Sequence, residues 1–68
     1  MTKLIKMILG YRGMMISDLA KKLGTSRPNL SQKLTRDNFS ESEMREIAKA
    51  LDCDLKITFI DHETGKEF

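Results

Sequence analysis

The chain has 68 residues, enough for one small domain and too few for a second. Cys53 is the only cysteine, so no disulfide can form within the chain, and a lone thiol is typical of a reducing cytosol. Cys53 and His62 are too few soft ligands for a zinc site. We therefore expect no metal and no cofactor. No segment has the length of a signal-peptide core or a transmembrane helix, so we expect a cytoplasmic protein.

The formal net charge is +2, but the charges are unevenly distributed along the chain. Residues 1–36 carry eight basic side chains against Asp18 alone, a balance of +7. Residues 37–68 carry four basic and nine acidic side chains, a balance of −5. This asymmetry indicates that the first half faces a polyanion, although ordinary solvated helix faces would give a similar excess.

Two short helices are predicted at 3–11 and 16–23, because each segment has apolar side chains at the i, i+3, i+4 spacing of one helix face. We expect Thr2 to cap the first helix and Gly13 to end it, while Gly24 directly follows the second. The apolar stripes consist of Ile5, Ile8 and Leu9 in the first helix and of Ile16, Leu19, Ala20 and Leu23 in the second.

Two further helices follow. Segment 26–35 is predicted to be the third helix, because Ser26 precedes a proline that fits the first turn. Ser40 and Glu43 form the S-x-x-E pattern of a capping box and so begin a fourth helix, which ends near Cys53. The apolar positions of these helices are Leu30 and Leu34 in the third and Met44, Ile47, Ala48 and Leu51 in the fourth.

Residues 55–60 change from the helical spacing to strict alternation, which predicts a half-buried β-strand. A lone strand has no partner in this chain apart from the short end at 66–68. It can pair with its own copy across a two-fold axis, or fold back on 66–68 as a hairpin in a monomer. We predict the first arrangement, a homodimer whose contact is formed by Leu55, Ile57 and Phe59.

The segment from residue 16 to residue 35 has the spacing of two helices joined by a tight turn. Gly24 supplies the left-handed backbone that lets the chain leave one helix and begin another within about three residues. Ala20 is small at the position where a crossing helix approaches, and Leu19, Leu23 and Leu30 can fill the angle between the helices. This arrangement predicts a helix-turn-helix.

The chain resembles the Cro/repressor-type, or XRE-like, helix-turn-helix family in its run DLAKKLGTS at 18–26, followed by RPNLSQ at 27–32. The run MREIAKAL at 44–51 is similar to the family's next helix, and the resemblance covers about residues 3–54. It implies a mostly α fold, a four-helix Cro/repressor-like DNA-binding domain at 1–54. The strand and tail at 55–68, predicted above from the alternating pattern, would form the dimerisation part. The resemblance also implies that the helix at 26–35 lies in the major groove of double-stranded DNA.

Two positions depart from the family's pattern. The family often has Thr and Gln at the start of the first motif helix, where this chain has Met15 and Ile16, which leaves Ser17 as the candidate cap. The usual apolar position of the second motif helix is Lys33 here, and Leu34 takes the apolar role.

The side chains of the predicted recognition helix suit DNA, although each taken singly fits a plain polar helix face. Arg27 fits a bidentate contact to guanine, and Gln32 or Asn29 fits adenine. Ser26 offers a hydroxyl and a helix N-terminus to phosphate, and Pro28 offers an apolar contact to a thymine methyl. The predicted DNA-contacting set also includes Lys33, Arg12, Lys21 and Arg36, with Lys3 and Lys22 adding general attraction.

Several functions fit this resemblance. They include a phage-type repressor, a control protein of a restriction system, and an antitoxin that represses its own operon. A second class is a protein-interaction module that keeps the fold, which the acidic second half and the Met15–Ile16 departure favour. We do not expect an enzyme, because the sequence offers no nucleophile–base pair, phosphate loop or metal cluster. We predict a transcriptional repressor that binds specific DNA sequences as a homodimer.

Overall fold

The computed structural model describes all 68 residues and contains four helices in the predicted order. The helices are α1 (Thr2–Arg12), α2 (Ile16–Leu23), α3 (Arg27–Arg36) and α4 (Glu41–Ala50). The predicted mostly α, four-helix fold is confirmed by these elements. None of the helices is both long enough and apolar enough to cross a membrane.

Serine side chains begin α3 and α4, as predicted. The Oγ of Ser26 accepts a hydrogen bond of 3.2 Å from the backbone N–H of Asn29. The Oγ of Ser40 accepts one of 3.1 Å from the N–H of Glu43, whose carboxylate accepts one of 2.9 Å from the N–H of Ser40. These bonds satisfy backbone donors that have no partner within the first helical turn.

The starts of α1 and α2 differ from the prediction. Thr2 is the first residue of α1 rather than its cap, and its N–H donates to Asp37 Oδ1 at 2.9 Å. Ser17 lies exposed in the first turn of α2, while Asp18 accepts a bond of 2.8 Å from the N–H of Met15. Thr2 and Ser17 were therefore wrong as caps. Asp37 directly follows α3, and it comes close to the start of α1 only when the helices pack together.

The hydrophobic core forms where α2 packs against α3 and α4, and α1 closes it. Leu19 of α2 is completely buried, and the neighbouring Ala20 is 2% exposed. Leu34 is buried whereas Lys33 is only half-buried, so Leu34 does take the apolar role in α3. The eight buried residues are Ile5, Leu9, Leu19, Ala20, Leu30, Leu34, Ile47 and Leu51.

A tight turn joins α2 to α3. Gly24 has φ of 71°, the left-handed region that a residue with a Cβ avoids. Its N–H donates to the carbonyl of Lys21 at 3.1 Å, and the N–H of Thr25 donates to the carbonyl of Ala20 at 3.0 Å. Carbonyls of the last turn of α2 are thereby satisfied, and only three residues separate α2 from α3. The predicted helix-turn-helix is present.

The predicted β-strand at 55–60 is absent, and this prediction was wrong. The chain there is irregular, and one antiparallel bridge joins Ile60 to Glu67. Phe59 and Phe68 exchange backbone hydrogen bonds of 3.4 and 2.8 Å, so the chain folds back on its own end. The alternation fails as a strand signal because no helix surface covers its apolar face.

Candidate nucleic-acid interface

One face of α3 is exposed along its whole length. At 3.6 residues per turn, Pro28, Gln32 and Arg36 follow one another along this face, while Leu30 and Leu34 point into the core. Arg27 and Asn29 lie beside this row in the first turn, and both are exposed. The structure therefore brings most of the predicted recognition residues onto one solvent-facing side of a single helix.

A shallow cavity of about 320 Å³ adjoins the start of α3. It lies between α1, the start of α2 and the start of α3, and its basic lining residues are Lys6 and Arg27. The hydroxyl-bearing Ser17 also lines it, and no acidic residue does. Lys6, Ser17 and Arg27 therefore share one cavity with apolar side chains of α1 and α2, next to the start of α3.

Most basic side chains in the first half of the chain are free of ion pairs. Of the eight, only Lys33 forms a salt bridge, and its partner is Glu43 of α4 at 2.6 Å. Unpaired cations keep their full attraction for a polyanion. The unpaired ones are Lys3, Lys6, Arg12, Lys21, Lys22, Arg27 and Arg36.

Lys33 is directed toward α4. Its ammonium group, together with the backbone N–H of Ser40, lowers the pKa of Glu43 from 4.5 to about 2. Glu43 therefore caps α4 and holds Lys33 at the same time. Lys33 is the predicted contact residue least free to reach DNA, because a contact to DNA would have to replace this ion pair.

Arg12 is the last residue of α1. Its guanidinium donates to the carbonyl of Asp52 at 3.2 Å and approaches the sulfur of Cys53 at 3.8 Å. These contacts attach the end of α1 to the residues that follow α4. The predicted phosphate contact of Arg12 stays a prediction.

Sequence reasoning missed two residues of this surface. Lys6 and Ser17 line the cavity beside Arg27, although neither was among the predicted DNA contacts. Their charge and hydroxyl group were visible in the sequence. Their proximity to Arg27 was not, because it depends on how α1 packs beside α2. Thr35 also lies exposed on α3, with its hydroxyl donating to the carbonyl of Ser31 at 2.9 Å.

The turn at Gly24, the buried angle between α2 and α3 and the exposed basic start of α3 together define a helix-turn-helix domain of the DNA-binding type. The model of the Cro/C1-type HTH DNA-binding domain matches residues 4–56, which is most of the chain. The chain belongs to this family, as the XRE-like resemblance implied. No curated protein and no solved structure gives a significant match.

Proposed function

We propose that this protein is a transcriptional repressor that binds specific sequences of double-stranded DNA as a homodimer. The observation that carries the proposal is the exposed row of Pro28, Gln32 and Arg36 on α3, together with the exposed and unpaired Arg27 in the first turn. Side chains that have no partner within the chain are free to bind base edges. A protein bound to chromosomal DNA would also have the cytoplasmic location that the sequence predicts.

In the proposed complex, α3 lies in the major groove and its first turns read the bases. Arg27 makes a bidentate contact to guanine, and Gln32 or Asn29 makes one to adenine. Pro28 contacts a thymine methyl, and the hydroxyl of Ser26 binds phosphate with the N-terminus of α3. The remaining phosphate contacts come from Lys21, Arg36, Lys33 and Arg12, and we add Lys6 because it shares a cavity with Arg27.

The dimer contact is proposed to come from Leu55, Ile57 and Phe59, since apolar side chains left in water favour association. Ile57 is 48% exposed and Phe59 is 79% exposed. Two-fold symmetry would set two recognition helices about 34 Å apart, one turn of DNA, and so require a nearly palindromic site. Residues 1–54 would then be the DNA-binding part and 55–68 the dimerising part.

Selection of bound sequences from random duplex DNA, followed by affinity titrations, tests this function. Arg27→Ala should weaken binding to the selected site by about 1–3 kcal/mol and relax specificity at one base pair. Arg45→Ala is the matched control, because Arg45 lies on α4 and pairs with Glu41 at 3.1 Å. We expect its effect to be several-fold smaller.

Two results would overturn the assignment. Unchanged affinity and site preference in both Arg27→Ala and Gln32→Ala would show that these residues do not read bases. Affinity that depends little on salt, or no binding at low salt, would instead favour the protein-interaction function, since counterion release accompanies every phosphate contact.

A further inference from the structure

The outer face of α1 carries large apolar side chains that nothing in the chain covers. Leu4, Met7 and Tyr11 are 55%, 64% and 86% exposed, and at 3.6 residues per turn they form one row. Ile5 and Leu9 on the opposite side are buried in the core. The helix therefore has two apolar faces, and only one of them packs within this chain.

The C-terminal segment, defined as residues 55–68, has a second set of uncovered apolar side chains. Phe59, Ile60 and Phe68 are 79%, 59% and 72% exposed. The segment makes no hydrogen bond or salt bridge to the helices; its bonds, such as the 2.9 Å ion pair between Lys56 and Glu67, are internal. Leu55 is half-buried, whereas Phe59, Ile60 and Phe68 are available to another surface.

The shape of the molecule agrees with a C-terminal segment that has few contacts with the helices. A compact domain of this length has a radius of gyration of about 11 Å. The observed value is 13.8 Å, and the dimensions are 44 × 23 × 17 Å. The molecule is elongated, as expected for a C-terminal segment that adjoins α4 at Leu55 and then leaves Phe59 and Phe68 exposed, and its own α1 stays uncovered.

The charges of the two surfaces are complementary. Lys3 lies on α1 one turn before Met7 of the apolar row, and α1 contains no acidic residue. The C-terminal segment carries Asp61, Glu63 and Glu67 against two lysines. Two such segments facing each other would bring like charges together, whereas a segment on α1 brings opposite charges together.

We propose that the C-terminal segment of one copy docks on α1 of a second copy, and that the second copy returns the same contact. This inference rests on the proposed homodimer and identifies the surface that receives Ile57 and Phe59. That surface is the row of Leu4, Met7 and Tyr11. Because the two contacts are related by a two-fold axis, assembly stops at a dimer. In that dimer both C-terminal segments and both α1 rows are covered.

Crosslinking between differently labelled copies tests the contact in full-length protein without DNA. In a Cys53→Ser background, copies with Met7→Cys are mixed with copies with Phe59→Cys and treated with a short bismaleimide. We expect a covalent heterodimer at several-fold higher yield than from Phe59→Cys alone. A mixture of Phe59→Cys with Lys22→Cys is the matched control, because Lys22 is exposed on α2 and outside both surfaces.

Sedimentation of surface variants gives a second readout. Tyr11→Glu and Ile57→Glu change exposed side chains, so both should fold normally and weaken dimerisation at least 10-fold. Mixing the two variants should partly restore dimers, because one of the two exchanged contacts is intact in a mixed dimer. Direct pairing of the two segments predicts instead that Tyr11→Glu dimerises like the wild type.

Each failure has a distinct meaning. Equal crosslinking in Phe59→Cys alone would show that the segments bind each other and would overturn this proposal while leaving the homodimer. A wild-type dimer without the expected heterodimer crosslink would show a different interface. A protein that stays monomeric at micromolar concentration would overturn the homodimer as well, while the DNA titrations would still report on α3.

Discussion

The helical body (residues 1–54) and the C-terminal segment both have regular apolar patterns, but only the body buries them. Leu19 and Leu51 are 0% and 1% exposed, whereas Ile57 and Phe59 are 48% and 79% exposed. In the body, α2 meets α3 and α4, so the apolar faces of these three helices cover one another. The segment has no such surface within the chain. An apolar pattern therefore predicts burial only when a matching surface is within reach.

Core truncation should give the largest difference between the two regions. Leu19→Ala should lower the free energy of unfolding by about 2–5 kcal/mol, because it leaves a cavity among buried side chains. Phe59→Ala should change it by less than about 0.5 kcal/mol, because the ring is exposed. Urea unfolding at concentrations where the midpoint does not depend on protein concentration measures both. Equal losses would mean that Phe59 packs against the body.

Two glycine substitutions within the body should change the free energy of unfolding by smaller amounts and in opposite directions. Gly24→Ala should destabilise by about 1–2 kcal/mol, because a Cβ is disfavoured at its φ of 71°. Gly10→Ala should stabilise by about 0.5–1 kcal/mol, because Gly10 is inside α1 and no atom lies within 4 Å of the added Cβ. Thermal unfolding measures both. A stabilising Gly24→Ala would contradict the left-handed turn between α2 and α3.

Glu43 should make the stability of the body depend on pH in the acid range. Lys33 and Ser40 lower its folded pKa to about 2, below the ordinary 4.5. The stabilisation is therefore complete above about pH 4.5 and is lost as pH falls toward 2. Glu43→Gln should flatten the decline in unfolding midpoint over this pH window. Glu46 forms no ion pair, so Glu46→Gln should leave the decline unchanged. An unchanged slope in Glu43→Gln would rule out the ion pair with Lys33.

Asp61 should give the smallest effect, confined to the C-terminal segment. Its carboxylate accepts bonds of 3.1 and 2.7 Å from the N–H and hydroxyl of Thr64, which hold the pKa of Asp61 below its ordinary value. The turn should therefore be intact above pH 3.8 and loosen as pH falls through the lowered pKa. The NMR signal of the Thr64 amide should follow this titration, and that of Leu19 should not. Parallel shifts would show that segment and body are coupled.

Much of the candidate interface on α3 could be predicted from local sequence patterns. The cap at Ser26, the turn at Gly24 and the order of side chains along α3 each depend on residues only a few positions apart. Which residues of different helices lie close together could not be predicted from the sequence. Lys6 lies beside Arg27, and Lys33 is drawn toward Glu43, because α1, α3 and α4 pack in one particular way. The charge of each residue was visible, but its neighbours were not.

The sequence by itself determined the four helices, the turn that joins α2 to α3 and the family, because helix periodicity, serine caps and glycine turns act over a few residues. Tertiary structure decided what lies beyond that range. Asp37 accepts a hydrogen bond from the first N–H of α1 because the end of α3 lies next to Thr2, and Arg12 donates to the carbonyl of Asp52 across 40 positions. The alternating residues 55–60 formed no strand, because alternation specifies which side chains share a face and only packing supplies a surface to cover that face.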